Sequence, residues 1–354
     1  AERCYRPVTQ LLLELAQTHE GRFRPAFSLT GSILEQLQRE APDVLEQFQA
    51  LAQTGACEFL AETYHHSLAS IYSEGEFQQQ VERHRSAIEQ LFGQAPTVFR
   101  NTELIYANKL AEQVGRLGGF KGILAEGADH VLQGRSPGSV YRSASTPALP
   151  LLLKHYRLSD DIAFRFSDQS WPGWPLTVET FTDAVDALGE GALCNLFMDI
   201  ETFGEHQPAD SGIFEFLRAL PAELLKRGHT FATPRECFEM HAPMDTYDTP
   251  EVISWADTER DLSAWVSNAM QSSALYELYN LEHAAKETND ASLIADWRQL
   301  STSDHFYYMC TKFYDDQAVH RYFNPYESPY DAYINFMNVL DDLRMRIEAT
   351  AQRA

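Results

Sequence analysis

Up to about residue 240 the chain alternates short β-rich runs with longer stretches of helical period, and this rhythm limits the fold more than any other feature of the sequence. Parallel strands need a crossover between each pair, and a helix packed on the sheet usually supplies it. The runs 24–29, 56–62, 97–103, 121–125, 192–199 and 230–233 read as strands. Between them, 32–53 reads as helix broken at Pro42, and 76–92 and 213–226 read as further helices, as does the leading stretch 1–15. Residues 151–166 interrupt the rhythm with two expected antiparallel strands. A Pro-containing segment, 242–250, then leads into 259–287, 292–300 and 329–346, all of helical period. The expected fold is α/β: a (β/α) barrel-like unit over 1–241, followed by an all-helical unit over 251–354 that completes a shared cleft. Two such units suit a length of 354 residues.

Composition narrows the partners. With 21 Phe, 16 Tyr and 5 Trp among 44% hydrophobic residues, there is material for a large core and an aromatic-lined cleft. A formal net charge of −23 repels phosphate polymers and anionic lipid surfaces, so neither nucleic acid nor membrane is an expected partner. A neutral substrate fits better. The five cysteines (Cys4, Cys57, Cys194, Cys237 and Cys310) are odd in number and dispersed, and none forms a C-x-x-C pair. They read as reduced core residues without a structural zinc. Gly118-Gly119 and Gly134 lack a phosphate-cradling pattern, so no nucleotide cofactor is expected, and no metal. A cytoplasmic location is expected, because neither a signal peptide nor an apolar run of transmembrane length is seen. Oligomeric state stays open.

Strand parity gathers the acids. Along 192–201 the even positions Cys194, Leu196, Met198 and Ile200 are apolar and suit packing on helices, while Asn195, Phe197, Asp199 and Glu201 face the other way. Along 56–62, Cys57, Phe59 and Ala61 oppose Glu58, Leu60 and Glu62, and the same parity carries Tyr64 and His66 to the mouth. On 97–103 the face ending in Glu103 also carries Phe99 and Asn101. Three runs thus end in carboxylates at the C-terminal side of the strands, where barrel enzymes keep their active sites.

Clustered acids are costly to bury, since like charges raise one another's proton affinity, and only Arg100 is close in sequence to compensate. A functional cluster in which one carboxylate stays ionised and another holds a proton resolves that cost, and it is the arrangement used in retaining glycoside cleavage. Glu103 and Asp199 are the expected pair. Glu58, Glu62 and Glu201 would orient either substrate hydroxyls or the pair itself.

The segments Glu58-Phe-Leu-Ala-Glu-Thr-Tyr-His-His-Ser-Leu68, Val98-Phe-Arg-Asn-Thr-Glu-Leu104 and Leu196-Phe-Met-Asp-Ile-Glu-Thr-Phe-Gly-Glu-His206 resemble the second, third and fourth motifs of glycoside hydrolase family 57. The resemblance runs on through Ile253-Ser-Trp-Ala-Asp257 and Thr302-Ser-Asp-His-Phe-Tyr-Tyr308, as in the α-amylase-like branch. It implies an incomplete (β/α)7-type barrel followed by a helical domain, with the first strand, a His-x-His-Gln-Pro-like segment, missing from this chain. It further implies an α-glucan or maltooligosaccharide substrate with α-1,4 linkages, Glu103 as nucleophile and Asp199 as general acid/base. Cleavage would proceed by double displacement through a glycosyl-enzyme intermediate, ending in hydrolysis or glucan transfer.

Glu62, His66, Arg100, Glu201, His206, Trp255, Asp304 and His305 are the expected substrate-binding residues. Trp255 is preferred as a stacking platform because it sits at the expected junction of the two units. Two alternatives compete: a noncatalytic α-glucan-binding relative, and a metal-dependent polysaccharide deacetylase whose ligands would come from His65, His66, Asp199 and His206. The neighbouring Ser303-Asp304-His305 has triad residue types, but adjacent residues cannot face one another as a nucleophile relay must.

Overall fold

The structure is a computed structural model, and it describes residues 1–312 and 323–352. Helix α1 (Tyr5–Thr18) precedes β1 (Ala26–Phe27), α2 (Gly31–Glu40) and α3 (Pro42–Gln53). Strand β2 (Glu58–Phe59) leads through α4 (Ala69–Tyr72) and α5 (Glu74–Phe92) to β3 (Val98–Arg100) and α6 (Asn108–Leu117). Next come β4 (Gly122–Glu126), α7 (Asp129–Leu132), β5 (Val140–Ser143), β6 (Pro150–Lys154) and α8 (Tyr156–Ala163). The remainder comprises α9 (Val178–Asp186), α10 (Ile213–Lys226), α11 (Pro234–Met240), β7 (Asp245–Tyr247), α12 (Ala269–Asn280), α13 (Glu282–Glu287), α14 (Ala291–Leu300), α15 (Ser303–Tyr307) and α16 (Pro329–Ala351).

The strands lie in the order β1-β2-β3-β4-β6-β5-β7, parallel except where β5 meets β6. β2 joins β3 just past its own end: Ala61 N donates to Val98 O (2.9 Å) and Arg100 N to Ala61 O (2.8 Å). Leu60, Val98, Leu124, Val140 and Leu152 form a buried cluster with Phe197 and Trp255 on one face of this sheet, while Phe59, Phe99, Ile123 and Leu151 pack outward among helices. The helices α12, α14 and α16 enclose a separate core around Trp265, Trp297 and Phe306, which Leu68 and Ile105 enter from the sheet side.

Several expectations change. The partner antiparallel to β6 is β5, not 156–166, because Leu158 and Ile162 stand one helical turn apart and His155 Nδ1 accepts from Leu158 N at the start of α8. Residues 192–199 and 230–233 are extended but outside any ladder. The first of these touches the sheet through only a few bonds: His155 N to Asn195 O (2.9 Å), Leu193 N to Gly138 O (2.9 Å) and Asn195 Nδ2 to Leu153 O (3.0 Å). Residues 245–247, read as a separator, add β7 to the sheet, and 259–268 are irregular where helix was expected. Among the described residues no helix is long and apolar enough to cross a membrane.

Candidate active site

Three residues in the turns that follow β2 and β3 adopt left-handed backbone conformations unusual for side chains of their size: His66 (φ 51°), Glu103 (φ 56°) and Leu104 (φ 51°). Each such conformation costs on the order of 1–3 kcal/mol and persists only where the surroundings hold it. At Glu103 it corrects the expected parity. Strand β3 ends at Arg100, with Val98 and Arg100 turned to the inner face and Phe99 among the helices. A 3-10 turn over Thr102–Leu104 then swings Glu103 inward. Alternation alone would have sent it outward with Phe99.

The turned carboxylate is tightly held. His66 Nε2 lies 2.8 Å from Glu103 Oε1, and Trp255 Nε1 donates to Glu103 Oε2 at 2.6 Å. The other ring nitrogen, His66 Nδ1, lies 3.3 Å from Glu62 Oε2, which also accepts from Arg100 Nη1 at 3.4 Å; Ser28 Oγ donates to Glu62 Oε1 at 2.6 Å. Burial alone would raise both carboxyls, but hydrogen bonds from His66 and the charges of His66 and Arg100 outweigh it, lowering Glu103 and taking Glu62 down to about 2. Burial works against the charged form of His66 as well, yet its two carboxylate partners prevail and raise it to about 10. The result is an imidazolium bridging two carboxylates, with both ring nitrogens donating.

Asp199 arrives on the extended segment 192–199. The expected parity holds there: Cys194, Leu196 and Met198 pack against the α8–α10 layer while Phe197 turns inward to Trp255 (ring centroids 5.6 Å apart). One side of Asp199 is open to solvent, but the protein crowded behind it removes water from the carboxyl and raises it, and the negative charge of Glu103 adds to the effect. Arg100, His206 and Lys154 pull in the opposite direction. Two carboxylates therefore stand in one field with opposite shifts, Glu103 down and Asp199 up.

The other expected residues divide. Glu62, His66, Arg100 and Trp255 join Glu103 in one network, and Asp304 is exposed yet close enough to feel His66 and Glu103. Glu201 instead accepts a hydrogen bond from Tyr5 on α1, with its carboxyl raised by burial and by Asp199. His206 packs edge-on to Phe164 and Phe323, and His305 against Phe336 of the helical layer. Tyr64 points away from the mouth, its hydroxyl on Glu35. His65 likewise turns aside, its Nε2 3.2 Å from Arg83, so the four-residue metal set considered for a deacetylase does not converge; among the described residues no three His, Cys, Asp or Glu side chains are placed to share a metal.

Sequence reasoning missed Lys154, Glu126 and Arg260. Lys154 Nζ stands 4.8 Å above the Trp255 ring, whose other cation neighbour is Arg100 at 5.4 Å. Glu126 ends β4 just as the other acids follow β2 and β3, which was the available signal.

The glycosyl hydrolase family 57 model matches residues 1–250. The chain belongs to glycosyl hydrolase family 57. A Methanocaldococcus jannaschii protein named "Putative alpha-amylase" is 40% identical over 360 residues, covering 98% of this chain and 76% of that one. The family 57 branching enzyme of Pyrococcus horikoshii superposes with a TM-score of 0.72 at 13% identity, over 98% of this chain and 89% of its own. A 4-α-glucanotransferase from Thermococcus litoralis gives 0.69 at 15% identity over 86% of this chain; the match spans about half, 52%, of that enzyme. The α-amylase AmyC of Thermotoga maritima gives 0.58 at 12% over 99% of this chain and 89% of its own. The family and these likenesses make the seven-strand sheet part of a (β/α)7-barrel-like α/β fold.

Proposed function

We propose that this family 57 protein is a retaining hydrolase or transglycosylase of α-1,4-linked glucans. The supporting observation is the opposite electrostatic treatment of two neighbouring carboxyls, Glu103 lowered by its hydrogen bonds from His66 and Trp255, and Asp199 raised by crowding and by the charge of Glu103 itself. In this reading Glu103 attacks the anomeric carbon, the glycosidic C–O bond breaks, and Asp199 gives its proton to the leaving oxygen. A water molecule or a sugar hydroxyl then attacks the same carbon, Asp199 takes the incoming proton, and Glu103 leaves as carboxylate. In this reading Glu62, Arg100 and Trp255 orient the pair, while Glu201, His206, Asp304 and His305 would bind substrate from the rim. The units 1–241 and 251–354 would form the cleft together, the first as a (β/α)7-type barrel.

Maltooligosaccharides incubated with the protein, followed by product sizing and by NMR of the anomeric configuration, test the proposal. Retained configuration is expected; shorter products alone mean hydrolysis, and longer ones mean transfer. Asp199→Asn should reduce turnover by about 10²–10⁴-fold, and Glu103→Gln by about a thousandfold or more. Inverted products, or near-normal turnover in both variants, would reject the assigned pair.

A further inference from the structure

Trp255 reaches Glu103 from a short loop outside the sheet, so something must fix that loop. Its start is paired to the chain leaving Glu103: Tyr106 and Ile253 exchange two backbone bonds of 2.9 Å, and Trp255 N donates to Glu103 O at 3.2 Å. Its return folds back on the start, with Ser254 N donating to Arg260 O (3.1 Å) and Ser254 Oγ to Asp261 O (2.6 Å). Arg260 takes a left-handed conformation (φ 53°) and aims its guanidinium inward. There Nη1 donates both to Trp255 O (3.2 Å) and to Oε2 of Glu126 (3.1 Å), a fully buried carboxylate at the end of β4.

We propose that Glu126 and Arg260 form a clasp of positioning residues that holds the Trp255 indole N–H on Glu103 and thereby keeps the nucleophile ionised and aimed. Neither touches the cleft pair directly. Glu126 Oε1 has no hydrogen-bond partner among the described residues, and the charge of the carboxyl is met chiefly by Arg260 and by Lys154, whose Nζ lies 3.9 Å from Oε2, with a lesser contribution from the Gly127 backbone. Burial pushes the Glu126 carboxyl up to about 7, with Lys154 and Arg260 opposing and Asp160 adding to the rise. A buried carboxylate is costly as pure scaffold, and both of its cations also reach Trp255: Arg260 at the main chain and Lys154 above the ring. Trp255 thus sits where the clasp meets the site.

The inference rests on Glu103 being the nucleophile, and its test separates the two claims. The carboxyl of Glu103 is titrated by ¹³C NMR, assigned with Glu103→Gln, in wild type, Arg260→Met, Arg260→Lys, Glu126→Gln, Trp255→Phe and the double variants with Trp255→Phe. The groups facing Glu103 are His66, Arg100, Trp255, Asp199 and Asp304, and those facing Glu126 are Lys154, Asp160 and Arg260. None of the first set is altered except Trp255. Loss of one hydrogen bond to an ionised group predicts about a tenfold rise in the proton affinity of Glu103 in Arg260→Met, with a smaller rise in Arg260→Lys and Glu126→Gln. The acid limb of kcat/KM should move with it. In the Trp255→Phe background the further change should vanish, since the clasp acts through that residue. An unmoved Glu103 in Arg260→Met, or a rise of equal size with and without Trp255, overturns the clasp. A wild type that cleaves no glucan would instead sink the functional reading, and the titration would still decide the clasp. If Arg260→Met fails to fold, Arg260→Lys and Glu126→Gln carry the comparison.

Discussion

His66 bears most of the electrostatic order in the site, because it is the cation between Glu62 and Glu103. The linkage has a definite sign. Glu62, lowered from 4.5 to about 2 by partners that overcome its burial, contributes stability that is complete above its unfolded value and disappears as pH falls toward 2. His66, raised from 6.5 to about 10, contributes stability that is complete below 6.5 and disappears as pH rises through 10. The triad is therefore strongest between about pH 4.5 and 6.5. A His66→Gln variant should lose melting temperature most in that interval and converge on wild type above pH 10; calorimetry from pH 4 to 10.5 checks it, and a loss independent of pH would remove the imidazolium from the account. Glu103→Gln should in turn lower the raised carboxyl of Asp199, since the neighbouring negative charge is the second cause of that rise after burial. An Asp199 titration unchanged in that variant would leave burial as the sole cause.

At the scale of elements, the site depends on attachments that local sequence period does not reveal. Helix α5 carries Glu76, fully buried, whose carboxylate meets Arg298 of α14 (2.7 and 3.2 Å) and Lys286 of α13 (2.7 Å). This cluster ties α5 to α13 and α14, the helices that precede α15, which carries Asp304. Glu76→Ala would leave Arg298 without its carboxylate and Lys286 with Glu282 alone, and should cost about 3 kcal/mol of stability. Chemical denaturation measures that cost; a change below about 1 kcal/mol would mean that apolar packing, not the ion cluster, holds these helices together. Helix α1 attaches at the other side: Tyr5 bonds Glu201, Cys4 Sγ donates to Ile200 O (3.3 Å), and Gly204 (φ 108°) leaves room for the backbone of Arg3, where any Cβ would collide. The glycine of the Thr-Phe-Gly segment is thus needed for a close approach, next to the turn that carries Asp199.

At the scale of the whole molecule, a net charge of −23 is a repulsive load on the fold. Screening should relieve it. The melting temperature should rise as salt increases from about 0.01 M to 0.15 M, over which the Debye length shrinks from about 30 Å to 8 Å; a fall over that range would mean that surface ion pairs such as Arg116–Glu74 outweigh the net repulsion. The sequence alone determined the alternation of strands and helices, the C-terminal helices, the inward and outward faces of 56–62 and 192–199, and the gathering of acids at strand ends, because periods of 2 and 3.6 are local properties of a chain burying one face. It carried the family resemblance for the same reason, since the motifs are contiguous. Only the tertiary structure decided how Glu103 reaches the cleft, because a left-handed turn after Arg100 reverses the parity that alternation predicts. Likewise 156–163 became α8, 192–199 stayed outside the ladder, and 245–247 became a strand, since hydrogen-bond partners far along the chain decide between extended and paired. Glu126, Lys154 and Arg260 stayed illegible because they are brought together from β4, β6 and a distant loop, and their charges take on meaning only when burial places them against one another.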